Sequence, residues 1–193
     1  MAANGPLILA STSPYRAELL TRLGLPFERR APDIDESARP GEAPEAYVAR
    51  LAREKAMAVC ATRGLVIGSD QTAVLDGNML GKPGDPQRAV KQLLAASGRR
   101  VSFLTGLCLH DTASGDSWLD VVPYHVVFRP ITEAVAMRYV EREQPLDCAG
   151  SFKAEGLGIA LFQRMEGDDP TALVGLPLIR LVDFLLAAGV EVP

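Results

Sequence analysis

Leu65-Val66-Ile67-Gly68-Ser69-Asp70-Gln71 is an apolar run too short for a helix, and it stops in small residues followed by an acid and an amide. Such a run reads as a buried strand that presents Asp70 at its carboxyl end, where open α/β sheets keep their chemistry. Immediately after it, Asp76-Gly77 separates residues 72–75 from residues 78–81, and Asp-Gly is suited to a two-residue type I′ hairpin turn. That register sets Gln71 opposite Lys82, folding a carboxylate, an amide and an ammonium back to one edge of the sheet. Side-chain alternation sends Asp70 to the other face from Gln71 unless the strand ends before it. The competing reading makes Asp70 a turn cap and Lys82 a solvated loop residue.

Before this stretch, Leu7-Ile8-Leu9-Ala10 is a short strand that runs into Ser11-Thr12-Ser13-Pro14. Ser13 is placed as N-cap and Pro14 as the first helical residue, with Leu19, Leu20 and Leu23 inward and Gly24 as the stop. A helix amino terminus at a strand end suits a phosphate, and Arg16 in the first turn, unfavourable for the dipole, makes sense beside an anion. The alternative is a routine strand-turn-helix with an exposed arginine. A strand over 27–31 leads to Asp33-Ile34-Asp35-Glu36, whose clustered oxygens suit a hard cation such as Mg²⁺ or simply solvent.

Residues 44 to about 60 are helical in pattern, with Val48, Leu51, Ala52, Ala56 and Val59 on one face. Lys55 falls on that face, where an ammonium must either meet an anion or snorkel to an edge. Asp85 and Pro86 open a structural helix closed near Gly98, with Ala89, Val90, Leu93 and Leu94 inward. Strands over 101–110 and 117–128 follow, Pro123 marking a bulge or an edge. Thr132 caps a helix to about Arg142, and 177–188 is an apolar helix. The segment 147–158 is glycine-rich; if extended, it sends Lys153 and Glu155 to the same side.

The 193 residues, 48% hydrophobic and 23% charged, suffice for one domain, and a net charge of −4 argues against a nucleic-acid-coating role. Cys60, Cys108 and Cys148 are odd in number and set among apolar neighbours, which fits free thiols, and two histidines without metal-ligand spacing give a zinc site no support. No run reaches membrane-spanning length, and the start of the chain lacks a cationic, apolar leader, so a cytoplasmic protein is expected. Gly77-Asn78-Met79-Leu80-Gly81-Lys82-Pro83 is not a P-loop: the glycine spacing is one short and Pro83 replaces the hydroxyl residue.

What remains is three cations, Arg16, Lys55 and Lys82, and two acids, Glu36 and Asp70, spread over strand ends. Hydrolysis of a metal-bound polyphosphate needs such a set, the cations for phosphate oxygens and the acids for metal and water. In order, Leu9-Ala10-Ser11-Thr12-Ser13-Pro14-Tyr15-Arg16, Asp35-Glu36, Glu54-Lys55, Ser69-Asp70-Gln71 and Gly81-Lys82-Pro83 resemble the Maf family of nucleotide pyrophosphatases. The likeness continues through Gly150-Ser151-Phe152-Lys153-Ala154-Glu155-Gly156 and Leu173-Val174-Gly175-Leu176-Pro177.

The resemblance implies an α/β fold related to inosine triphosphate pyrophosphatases: a mixed twisted sheet with flanking helices, one bilobal domain over residues 1–193, two lobes around a cleft. It implies hydrolysis of a nucleoside triphosphate to monophosphate and pyrophosphate with a divalent cation, Mg²⁺ or alternatively Mn²⁺. By position Asp70 answers to the general base, Ser11, Arg16, Lys55 and Lys82 to phosphate-binding residues, and Glu36 with Asp70 to the metal site. Many members carry two arginines after the Ser-Pro pair; here the first is Tyr15.

Tyr15, Gln71 and the segment with Lys153 and Glu155 resemble the subgroup acting on 7-methyl-GTP. Methylation at N7 makes guanine cationic, so an aromatic face gains a cation–π attraction and a carboxylate can accept base-edge N–H groups. Tyr15 and Glu155 are the candidates; Tyr15 packing over the first helix is the alternative. The expected partner is a nucleotide, with no nucleic-acid polymer or membrane, and a homodimer is open. A dTTP or UTP pyrophosphatase of the same family and a nucleotide-binding regulator of septum formation are the competing functions.

Overall fold

The computed structural model describes residues 5–59 and 63–192; Cys60 and the first four residues, on which two of the expectations above rest, lie outside them. Among the described residues one open, mixed sheet of seven strands is flanked by helices. Its strands are β1 (Leu7–Ala10), β2 (Phe27–Arg30), β3 (Leu65–Leu75), β4 (Asn78–Leu80), β5 (Arg100–Asp111), β6 (Ser117–Phe128) and β7 (Phe162–Glu166). The order is β2-β1-β3-β5-β6-β7, with β4 paired to β3. Pairing is parallel from β2 to β3 and antiparallel from β3 to β7.

The helices are α1 (Pro14–Thr21), α2 (Pro44–Ala58), α3 (Pro86–Ala96), α4 (Glu133–Glu143), α5 (Pro170–Val174) and α6 (Leu178–Ala187). Side-chain caps start three of them as the sequence predicts: Ser13 accepts from the Arg16 N–H, Asp85 from Arg88 and Thr132 from Val135. Strand alternation then divides the core. Leu9, Ile67, Leu107 and Leu109 meet α1 and α6 through Leu19, Leu20, Leu181 and Leu185. Ile8, Ala10, Val66 and Cys108 face Ala52 and Ala56 of α2.

Helix α2 sits unusually close to the sheet because two strand positions lack a side chain. A Cβ at Gly68 would lie 2.0 Å from the Ala52 carbonyl oxygen, and one at Gly106 2.2 Å from that of Val48. At the other end of the sheet, Phe103, Phe128, Phe152 and Phe162 pack edge to face with centroid separations from 4.8 to 5.7 Å. Phe152 thereby anchors the glycine-rich segment to the core.

The strand carrying Asp70 is longer than the apolar run suggests: β3 continues to Leu75, so Asp70 is in mid-strand rather than at its end. Antiparallel β5 accompanies it throughout, from Leu65 opposite Asp111 to Val74 opposite Ser102. On its other edge, β1 pairs only with Leu65–Ile67 and β4 only with Ala73–Leu75. Among the described residues, Gly68 to Thr72 therefore lack a paired strand on that side, and this gap, not a strand terminus, opens the site. The Asp76-Gly77 turn has φ of 50° and 79°, as type I′ requires. Its ladder stops at Ala73 opposite Leu80, before Gln71 and Lys82 pair.

Smaller departures have local causes. Leu94 is 36% exposed, lying on the outer side of α3 beside the inward Leu93. Pro123 stays in register with Leu104 and lies beyond the end of β7, whose last residue, Glu166, is opposite His125, which makes it an edge position; the irregularity in β6 is at Val127 and Phe128. The segment 147–158 is not extended but turns at Ala149–Ser151, where Gly150 and Ser151 are left-handed with φ of 73° and 63°, and again in a 3₁₀ helix from Leu157.

Candidate active site

The gap in β3 is filled by an ion cluster. Lys55, on the inward face of α2 and 5% exposed, places its Nζ 2.6 Å from Asp70 Oδ1 and 2.7 Å from Glu36 Oε1. The glycine-mediated approach of α2 to β3 is what brings these elements together. Asp70 is 7% exposed and lines a cleft of about 600 Å³. Among the described residues its Oδ2 carries no hydrogen bond, and Lys55 uses two of its three N–H donors, so both groups keep capacity for a ligand.

The amino terminus of α1 forms the adjoining wall. Ser11 is buried, and its Oγ accepts from the Ser13 N–H at 3.1 Å, leaving its own proton to donate. Arg16 Nε donates to the Gly175 carbonyl at 2.8 Å, a carbonyl that also accepts from buried Ser69. Burial pushes the Arg16 guanidinium below its usual range, opposed by the charges of Asp70 and Glu36. Lys82 lines the same cleft from the loop after β4. Gln71, on the opposite face from Asp70 as alternation requires, donates to the carbonyls of Ala172 at 2.6 Å and Leu173 at 3.1 Å, holding α5 against the sheet.

Tyr15 and Glu155 line the other end of the cleft, together with Cys148. Burial raises the Tyr15 pKa, with the neighbouring Cys148, Asp147 and Glu155 acting in the same sense and Lys153 against. Lys153 is oriented otherwise than an extended segment would require. Its Nζ donates to the Glu143 carbonyl at 3.2 Å and its N–H to the Tyr139 hydroxyl at 3.0 Å, so it fastens the segment to α4. Cys148 is a free thiol, pushed up to about 12 first by burial and then by Asp147.

Among the described residues no group of three or more His, Cys, Asp and Glu side chains is arranged to hold a metal ion. The acidic loop does not act as a unit: Asp35 caps a turn at the Ser37 N–H, while Glu36 bends to Lys55. Two carboxylates that share Lys55 on the cleft, Glu36 and Asp70, do fit a hard cation that arrives with its substrate and keeps several oxygen ligands of its own.

Desolvation opposes ionisation of Glu36, but the hydrogen bond and charge of Lys55, with Lys82 and Arg16, hold its pKa below the usual 4.5. A depressed folded value stabilises above the unfolded pKa and is lost as pH falls through the folded one. Melting temperature should therefore drop less steeply below about pH 4.5 in Glu36→Gln than in the native protein. Parallel acid limbs would contradict the pairing.

Two residues that the sequence reading passed over hold the Glu36 loop. Tyr47 lines the cleft and donates its hydroxyl to the Glu36 carbonyl at 3.0 Å. Arg50 donates to the Ser37 carbonyl at 3.1 Å while gripping Glu42, whose carboxyl it holds at about 2. The signal for Tyr47 is its spacing, since Tyr47, Leu51 and Lys55 follow at intervals of four along one helix face.

A model of the Maf-like protein family matches residues 6–188. The 7-methyl-GTP pyrophosphatase of Pseudomonas aeruginosa is 62% identical over 189 residues, 97% of this chain and 98% of that protein. Proteins of the same name from Alkalilimnicola ehrlichii, 60% identical over 98% of this chain and 96% of theirs, and from Alcanivorax borkumensis, 58% identical over 97% and 96%, are likewise similar end to end.

Proposed function

The chain belongs to the Maf family, and on that premise we propose that it is a nucleotide pyrophosphatase converting 7-methyl-GTP to 7-methyl-GMP and pyrophosphate. The observation that carries the reaction is the cluster in the β3 gap: a carboxylate with one oxygen unengaged, a shared buried ammonium, and Arg16 and Lys82 on the same cleft. Asp70 Oδ2 orients a water and takes its proton as the water oxygen attacks the α-phosphorus. The bond from that phosphorus to the bridging oxygen breaks, and pyrophosphate leaves with its charge met by Arg16, Lys55 and Lys82. Ser11 donates to a phosphate oxygen at the amino terminus of α1.

Glu36 and Asp70 are the residues that would hold a divalent cation, Mg²⁺ with Mn²⁺ as the alternative, and bound there it would neutralise phosphate oxygens in the reaction. The role of the protein is then to keep Asp70 fixed. Lys55 does this by occupying Oδ1 and leaving Oδ2 for water.

For the base, the names of the relatives and the place of Tyr15 and Glu155 at the far end of the cleft support 7-methylguanine. Its positive charge favours the tyrosine face, and its N–H edge suits a carboxylate. Glu155→Ala should cost about tenfold or more in kcat/KM for 7-methyl-GTP, since a charged hydrogen bond is lost, and much less for GTP, UTP or dTTP. Pyrophosphate release from these substrates in parallel is the test. A native preference for dTTP or UTP would keep the reaction and discard the base assignment; nucleotide binding without release would favour a regulator.

A further inference from the structure

We propose that Gln92, on the outer helix α3, is a positioning residue that fixes the phosphate end of the cleft to its base end. The proposal rests on the assignment of Glu155 to the base. Gln92 Nε2 donates to the Gly81 carbonyl at 3.1 Å, and its Oε1 accepts from the Ser151 hydroxyl at 2.5 Å. The amide orientation is set by chemistry, because a carbonyl such as that of Gly81 only accepts. One side chain thus joins the peptide immediately before Lys82 to the segment that carries Glu155.

The helix that bears this strut and its Ser151 end are both held firmly. Ala89, Leu93 and Ala96 seat α3 in the core. Ser151 is fully buried and holds φ of 63°, a left-handed conformation that costs a residue with a side chain, so its hydroxyl bond to Gln92 helps hold the turn. From Ser151 to Glu155 there is little slack: Phe152 is locked among three other rings and the Lys153 N–H is tied to Tyr139. A second link, the Gly84 N–H to the Leu146 carbonyl at 3.0 Å, runs alongside.

The consequence is a fixed separation between the group that reads the base and the ammonium that meets the departing pyrophosphate. A nucleotide whose base engages Glu155 then has its triphosphate delivered to Lys82 in register, and one that does not gains nothing from the strut. Loosening the strut should therefore lower turnover of the preferred nucleotide selectively.

The variants separate the two arms. Gln92→Glu can still accept from Ser151 but has no donor for Gly81; Ser151→Gly breaks the other arm while relaxing the backbone. In steady-state kinetics on 7-methyl-GTP and GTP, each should lower kcat on 7-methyl-GTP by about two- to tenfold, the scale of one lost hydrogen bond, with KM within about twofold. GTP turnover should fall less, so the preference contracts. Equal losses on both nucleotides, or none, in a native protein that does prefer 7-methyl-GTP would overturn the role of Gln92 and leave the function standing. A native protein without that preference would overturn the base assignment and this inference together. If the Gln92 variant fails to fold, Ser151→Gly decides, because glycine suits its positive φ.

Discussion

Asp70→Asn is expected to fold and to lose about 10²- to 10⁴-fold in pyrophosphate release, the range for removing a positioned general base. The substitution keeps the shape of the side chain and an oxygen that can accept from Lys55, and Lys55 retains Glu36 as a counter-charge. Binding of 7-methyl-GMP, measured by titration calorimetry, should therefore change far less than turnover. A variant that folds and turns over at a near-native rate would remove Asp70 from the chemistry. A variant that loses binding and turnover together would make Asp70 an element of the cation cluster and nothing more.

The second large effect concerns stability as well as rate. Lys55→Met fits an apolar stem onto the inward face of α2, but it strands the Asp70 carboxylate at a 7% exposed position. Breaking a buried pair by removing one partner costs about 3–5 kcal/mol, because the remaining charge is left without compensation. For a chain of this size that is a fall of roughly 10 °C in melting temperature. The double variant Lys55→Met, Asp70→Asn should recover much of that loss, since the Asp70 carboxylate is no longer stranded in it, while remaining inactive. If the single variant melts like the native protein, the ammonium is not the structural partner of Asp70. If the double variant melts no higher than the single one, the loss comes from packing around α2 and not from electrostatics.

How far the sequence discloses this site depends on whether the information is local. Lys55 is legible because its period places it among Val48, Leu51, Ala52 and Ala56, and an ammonium there demands an anion. The caps at Ser13, Asp85 and Thr132 and the Asp76-Gly77 turn are legible for the same reason: the chemistry lies within four residues. The continuity of β3 through Asp70 is not, because from Gly68 to Thr72 its pairing partner is β5, more than thirty positions away in the chain.

Long-range geometry also decides what other side chains hold. Gln71 is marked in the sequence by its place after Asp70; in the fold it lines the cleft while its amide nitrogen holds α5 through carbonyls about a hundred residues distant. An extended segment would send Lys153 to the side of Glu155, but the segment turns, and the Lys153 Nζ donates to the Glu143 carbonyl. Neither α5 nor β7, five residues each, carries enough period to be seen before its neighbours are known. Gln92 shows the same limit from the other side: α3 reads as a structural helix, and only the folded chain shows that one of its amides spans two cleft loops.

The central claim is that water held by Asp70 attacks the α-phosphorus of the nucleotide. Hydrolysis of 7-methyl-GTP in ¹⁸O-enriched water, followed by mass spectrometry of both products, tests it in one step. A single ¹⁸O is expected in 7-methyl-GMP and none in pyrophosphate. Label in pyrophosphate would place the attack at the β-phosphorus, and release of labelled orthophosphate would place it at the γ-phosphorus; either result contradicts the assignment of Asp70, Lys55, Arg16 and Lys82 to the roles given above.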